Sequence, residues 1–89
     1  MSWRYLVSGV VQGVGFRYFV LRKAQALAVG GWVRNLPDGR VEVVADGPVA
    51  ALEELESALR TGPSHSRVAD VEKSEISDEV SRLKDFQIR

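Results

Sequence analysis

The seven residues from Val11 to Arg17 read VQGVGFR and combine two glycines with an arginine. Glycine adopts backbone angles that are closed to other residues, so Gly13 and Gly15 can turn successive N–H groups toward one point. Arg17 adds a planar, permanently charged fork of donors that matches phosphate oxygens. On spacing alone, a plain glycine-rich turn is the alternative. The residue types and their order predict an anion site, with phosphate as its natural occupant.

The stretch does not match the common phosphate-binding motifs. A P-loop needs lysine and then Ser or Thr after its last glycine, whereas Phe16 and Arg17 follow Gly15. The dinucleotide-binding fingerprint needs a further glycine where this chain has Tyr18. An RNA-binding strand motif matches in part, but its leading cation and one stacking aromatic are missing. The loop therefore belongs to none of these motifs.

The usual catalytic groups are scarce in this sequence. It contains no cysteine, which excludes disulfides and thiolate chemistry, and its one histidine, His65, falls in a predicted loop where a solvated role is expected. No His, Asp and Glu residues have the spacing of metal ligands, so we expect neither a metal nor another cofactor. For most phosphate esters this is a poor set of groups, because an alkoxide leaving group must be protonated.

Composition and charge indicate one small folded domain. The chain has 89 residues, of which 45% are hydrophobic and 27% charged. Its net charge is zero, which argues against a nucleic-acid partner. Residues 1–37 contain cations but no acid, which is consistent with an anion site there, although chance and an acidic second helix also explain the asymmetry. Without a membrane-length apolar run or a leader, we expect a cytoplasmic monomer that does not bind membranes.

Hydrophobic periodicity predicts the elements that position the loop. Residues 3–10 are predicted as a strand and residues 16–28 as a helix, which Gly30-Gly31 is expected to end in a left-handed conformation. Strands at 32–36 and 40–45 flank a Pro-Asp-Gly turn. A second helix lies between Gly47-Pro48 and Gly62-Pro63. The apolar stripe of this helix begins at Val49. After the helix, the pattern predicts a strand at 67–76, a loop or turn at 77–84, and a possible last strand at 85–89.

The order βαββαβ predicts the fold class α+β. Two βαβ halves joined by a hairpin pack most simply as a ferredoxin-like sandwich, an antiparallel sheet of four to five strands with both helices on one face. On the second strand, Asn35 shares a face with Val33 and can approach the start of the first helix, whereas Arg34 points away. This fold hosts sensors, RNA binders and enzymes, so it does not supply the function.

The stretch VQGVGFR, followed by GWVRNLPDGRVE, resembles the signature of the acylphosphatase family, small hydrolases that split acyl phosphates into carboxylate and inorganic phosphate. The similarity continues through RYFVLRKAQAL, VEVVADGP and the closing F-x-I-R, so it implies a single domain at 1–89. The family's fold is the ferredoxin-like sandwich that the element order predicts. The chain departs from the family at Val10, at Gly30 and at 64–66, which leaves substrate preference and loop rigidity open.

The resemblance also assigns roles to individual residues. It implies that Arg17 binds the phosphoryl oxygens and that Asn35 positions the attacking water, which makes them the candidate catalytic residues. It implies a phosphate cradle of loop residues, namely Gln12, Gly13, Val14, Gly15, Phe16 and Arg17. A carboxylate leaving group, whose conjugate acid has a pKa of about 4, departs without protonation. The scarcity of acids and bases is consistent with a small-molecule acyl phosphate as substrate and inorganic phosphate as product.

Other functions stay open at this level. A non-catalytic module of the same fold could use the loop to bind a phosphorylated metabolite, and an RNA-binding domain is a weaker alternative given the zero net charge. The same domain type also begins larger carbamoyl-transfer proteins that mature hydrogenases. We expect a chain that ends at Arg89 to be the stand-alone enzyme.

Overall fold

The computed structural model describes residues 1–76 and 85–89 of the chain. Within these residues the elements are β1 (Ser2–Val10), α1 (Phe16–Leu27), β2 (Gly30–Asn35), β3 (Val41–Asp46), α2 (Val49–Thr61), β4 (Arg67–Glu75) and β5 (Phe86–Ile88). The predicted order is confirmed, and the possible last strand is present as β5. The loop or turn predicted at 77–84 lies outside the described residues.

The strands form one sheet in the order β4-β1-β3-β2-β5. β1 is antiparallel to β3 and β4, and β2 is antiparallel to β3 with Asn35 opposite Val41. β5 instead runs parallel to β2, with Ile88 opposite Val33. The architecture is the expected ferredoxin-like sandwich, but the five-stranded sheet is mixed rather than antiparallel throughout, because β5, at its edge, pairs with β2 in the parallel direction. β5 brings the last residues of the chain beside the end of β2 that carries Asn35.

Both helices pack on one face of the sheet and form the core with it. The helices bury six side chains there, Phe16, Val20, Ala24, Leu52, Leu55 and Leu59. The sheet contributes Tyr5, Val7, Val33, Val41 and Val43 to the same cluster. Burying one such side chain fully stabilises the fold by about 1.5–3 kcal/mol. Val49, expected on the apolar stripe of α2, is 50% exposed because it is the first residue of the helix.

The first helix does not end at Gly30-Gly31, so that prediction was wrong. α1 ends at Leu27, and Ala28 takes the left-handed conformation with a φ of 58°. Gly30 and Gly31 are the first residues of β2. A Cβ at Gly31 would overlap the Val44 carbonyl oxygen of the neighbouring strand. The glycine at position 31 therefore permits close strand pairing and does not terminate the helix.

The face of the sheet away from the helices carries a buried carboxylate, Glu42 on β3, which is 3% exposed. Its Oε2 accepts a hydrogen bond from Arg4 Nε at 2.7 Å, and its Oε1 accepts from Arg34 Nε at 2.7 Å and Trp32 Nε1 at 3.2 Å. Burial disfavours the charged form, but these hydrogen bonds outweigh it and lower the pKa of Glu42. The side chain of Arg34 therefore lies on the opposite face of the sheet from Asn35, as the alternation along β2 predicts.

Candidate active site

The loop between β1 and α1 has the backbone of an anion-binding turn. Gly13 has a φ of 73° and Gly15 a φ of 76°, while Val14 between them stays outside the positive-φ region. Alternation of this kind turns successive N–H groups toward the same side and forms a nest. A Cβ added at either glycine would meet no heavy atom of the described residues within 4 Å. The glycines are therefore required by backbone conformation rather than by space.

The first turn of α1 continues this array of donors. The helix begins at Phe16 after Gly15, and the first helical hydrogen bond runs from Phe19 N to Gly15 O at 3.0 Å. No side chain of residues 1–76 or 85–89 caps this end, and no acid occupies the first turn. The amides of the first turn and the positive end of the helix dipole therefore face outward together, an arrangement that binds anions.

Gln12 holds the loop in place through its side chain. Its Nε2 donates to the carbonyl oxygens of Leu36 at 2.8 Å and Arg40 at 3.0 Å, at the two ends of the turn between β2 and β3. Both amide hydrogens are used in this way, which ties the glycine loop to the segment that directly follows Asn35. The predicted phosphate contact of Gln12 can thus involve its backbone amide, and the anchoring role of its side chain was missed in the sequence.

A pocket of about 290 Å³ opens at this end of the sheet. It is lined by Val11, Gly13, Gly15, Phe16, Arg17, Tyr18, Asn35 and Ile88. Arg17 and Asn35 therefore face one cavity, although 17 residues of sequence lie between them. Gln12 and Val14 are not part of the lining, and Val14 packs against the core instead. The structure thus brings together four of the six predicted cradle residues with Asn35.

Arg17 offers an uncompensated charge to the pocket. Its side chain is exposed, and within residues 1–76 and 85–89 it forms no ion pair. The guanidinium is therefore available to a bound anion, to which its hydrogen bonds are charge-assisted and short.

Asn35 has unused hydrogen-bonding capacity. It is the last residue of β2, and its Oδ1 is buried without a partner among the described residues. An unmatched buried acceptor costs about 1–3 kcal/mol, so a donor that reaches this amide gains the corresponding free energy. Rotation of the amide about χ2 presents either its donor or its acceptor end to the pocket.

Three lining residues, Val11, Tyr18 and Ile88, were not among the predicted site residues, and Val11 is almost fully buried. Tyr18 is 60% exposed and Ile88 is 39% exposed, large values for an aromatic and a branched side chain. Tyr18 falls off the apolar stripe of the first helix, and this position beside Arg17 was the signal that could have identified it. Ile88 reaches the pocket because β5 pairs with β2, which depends on the strand order and could not be inferred from local pattern.

The described part of the chain gives little support for a metal site, a catalytic histidine or a membrane span. Among its residues, no group of three or more His, Cys, Asp and Glu side chains is placed to hold a metal ion. His65 is exposed to solvent. Across the same ranges, no helix has the length and apolar character needed to cross a membrane.

The fold and the pocket define a ferredoxin-like α+β protein with a glycine loop at the start of its first helix, and comparisons with known proteins identify its family. The acylphosphatase family model matches residues 3–88. An acylphosphatase of Chlorobaculum tepidum is 51% identical over 83 residues, covering 93% of this chain and 89% of the relative. The crystal structure of acylphosphatase from Bacillus subtilis superposes with a TM-score of 0.93 at 42% identity, covering 99% of this chain and 97% of that one. The chain belongs to the acylphosphatase family.

Proposed function

We propose that the chain hydrolyses acyl phosphates to a carboxylate and inorganic phosphate, without a metal or other cofactor. Membership of the acylphosphatase family supports this class of enzyme. The observation that carries the proposal is the shared pocket, in which the glycine loop, Arg17 and Asn35 meet. A volume of about 290 Å³ suits a small molecule.

In this proposal the loop and Arg17 bind the phosphoryl group. The amides from Gln12 to Arg17 turn toward its oxygens, with Gly13 and Gly15 supplying the required backbone angles. Arg17 provides the positive charge that steadies the equatorial oxygens as the transition state forms. The loop backbone is held in place by Gln12 before substrate arrives, so little reorganisation of its amides accompanies the reaction.

Asn35 orients the attacking water in line with the leaving group. The water oxygen forms a bond to phosphorus while the bond from phosphorus to the acyl oxygen breaks, and that electron pair leaves with the carboxylate. The protons of the water pass to the phosphate product and to solvent. A neutral amide is enough to aim a water that keeps its protons until bond formation is well advanced. The unmatched Oδ1 of Asn35 supports this role.

The leaving group explains why the pocket needs no general acid. A carboxylate departs in its charged form at neutral pH, because its conjugate acid has a pKa of about 4. Among residues 1–76 and 85–89, those that line the pocket include no Asp, Glu, His or Lys. A phosphate monoester of an alcohol would need a proton donor there, so we expect strong selection for acyl phosphates over ordinary esters.

Several further assignments complete the proposal. The chain acts as a single domain over 1–89, and as a monomer in the cytoplasm. It has no nucleic-acid partner and no membrane contact. The zero net charge supports the first of these exclusions. The match of the family model to residues 3–88 supports the single domain.

The test is turnover of an aromatic acyl phosphate in excess chelator, beside an alkyl phosphate monoester. We expect hydrolysis of the acyl phosphate and essentially none of the ester. Arg17→Ala should lower kcat/KM by at least about a hundredfold, since two charge-assisted hydrogen bonds worth about 1.5–3 kcal/mol each sum to about 3 kcal/mol or more. Arg60→Ala, which removes an exposed arginine of α2 that pairs with Glu56 outside the pocket, is the control for loss of one positive charge. Phosphate binding without turnover would instead indicate a non-catalytic module, and loss of turnover with chelator would contradict the metal-free reaction.

A further inference from the structure

A second cavity, which we call the α1 groove, adjoins the pocket. It has a volume of about 400 Å³ and is lined by Gly15, Tyr18, Phe19, Arg22, Lys23 and Ala26. Gly15 and Tyr18 line both cavities, so the groove and the pocket meet at the start of α1. The groove therefore begins beside the place where the glycine loop would hold a ligand.

The groove is positively charged. In the described part of the chain, its lining contains two cations, Arg22 and Lys23, and no acid. Neither cation forms an ion pair within residues 1–76 and 85–89. Lys23 also lines a neighbouring cavity that includes the acid Glu54, so Lys23 can interact with either cavity. Arg22 is therefore the cation that acts mainly on the groove.

The side chain of Arg22 lies against the ring of Tyr18, which lines both the groove and the pocket. Its guanidinium carbon lies 6.0 Å from the centroid of the Tyr18 ring, within the range of a cation–π contact. Helical side chains tilt toward the N-terminus, which brings Arg22 back over the preceding turn. Tyr18 therefore presents an exposed aromatic surface at the mouth of the pocket, with a positive charge next to it.

We propose that the α1 groove binds the acyl part of the substrate and favours acyl groups that carry a second anionic group. The inference rests on the proposed function, because the phosphoryl group must occupy the loop. The chain of the acyl group lies against Tyr18 and Phe19, and its distal carboxylate or phosphate meets Arg22. With a rise of 1.5 Å per residue, Arg22 lies about 6 Å along the helix from Tyr18. An acyl group of roughly that length or slightly longer fits the distance.

The test compares benzoyl phosphate with its 4-carboxy counterpart, which adds a distal anion to the same ring. In the unmodified chain we expect the carboxylated substrate to have the lower KM. An exposed charge pair is worth up to about 1 kcal/mol, so Arg22→Gln should reduce this preference by about threefold to fivefold. Tyr18→Ala should raise the KM of both substrates. Arg60→Gln on α2 removes the same charge outside the groove and should keep the preference.

The outcomes separate the groove from the hydrolase activity. If the unmodified chain hydrolyses neither substrate, the proposed function fails. If it hydrolyses both with equal KM, or if Arg22→Gln keeps the preference, the groove assignment is overturned while the hydrolase stands. An equal loss in Arg22→Gln and Arg60→Gln would show a general effect of net charge, which also overturns the assignment.

Discussion

Substitution of Gly15 by alanine tests whether the loop backbone holds the phosphate. Gly15 has a φ of 76°, and a Cβ there meets no described heavy atom within 4 Å. The alanine therefore clashes with nothing in the protein and acts through backbone conformation. Gly39, in the turn between β2 and β3, offers a matched control, since its φ is 96° and a Cβ there also meets nothing within 4 Å.

The expected magnitude follows from the left-handed conformation. A non-glycine residue holds it at a cost of about 1–2 kcal/mol. Part of this free energy appears as lower stability. If the loop instead relaxes out of the left-handed conformation, it must return to it to bind phosphate. The same free energy then appears as weaker phosphate binding, by up to roughly 5- to 30-fold. Gly39→Ala carries a similar stability loss but lies outside the pocket, so its phosphate affinity should fall much less than that of Gly15→Ala, with any loss arising through the turn carbonyls that hold Gln12.

Calorimetric titration with inorganic phosphate and denaturant unfolding measure the two effects. A further variant, Gly15→Asn, separates conformation from bulk, because asparagine tolerates the left-handed region better than alanine although it is larger. We expect Gly15→Asn to bind phosphate better than Gly15→Ala. Weaker binding by the asparagine variant would indicate obstruction of the pocket. Full phosphate affinity in Gly15→Ala would refute the role of the loop backbone.

Three further predictions concern the surrounding structure. Ala28→Gly should stabilise the fold by about 1 kcal/mol in denaturant unfolding, because it relieves the left-handed strain at the end of α1. Gln12→Leu removes two hydrogen bonds and should lower stability by about 1–2 kcal/mol. It should also lower kcat/KM in the acyl phosphate assay, and an unchanged value would contradict its anchoring role. Glu42→Gln should lower the free energy of unfolding by about 1–2 kcal/mol near pH 7. The loss is limited to this amount because the arginine partners of Glu42 are partly exposed and regain hydrogen bonds to water. The folded-state pKa of Glu42 is lowered, so this stability is present above the unfolded pKa near 4.5 and is lost as the pH falls through the folded value. Denaturant unfolding measured from pH 3 to pH 7 should therefore show that the stabilities of the unmodified chain and of Glu42→Gln converge at acid pH.

Much of the fold followed from local patterns in the sequence. Helical spacing located α1 and α2, and alternation placed Asn35 on the inner face of β2 with Arg34 on the other. The glycine loop was identifiable because left-handed residues before a helix favour glycine. The family resemblance added the role of Asn35, which local chemistry alone does not assign.

The remaining features depend on contacts between distant segments. Gly31 looked like a helix terminator, but the approach of β3 determines that residue. The side chain of Gln12 is fixed by carbonyl groups at the turn between β2 and β3, 24 and 28 positions further along. Ile88 joins the pocket through the parallel pairing of β5 with β2. None of these pairings leaves a periodic signal in the sequence, because each is set by the order of strands in the sheet.

The most direct test of the central claim is a comparison of phosphate binding and turnover in Asn35→Ala. If the loop and Arg17 hold the phosphoryl group while Asn35 positions the water, the two properties separate. We expect the Kd for inorganic phosphate to change by about twofold at most, and kcat for an acyl phosphate to fall by about a hundred- to a thousandfold, as for the loss of one preorganised polar group. Parallel loss of binding and turnover would make Asn35 a phosphate ligand, and retained turnover would contradict the account of the site.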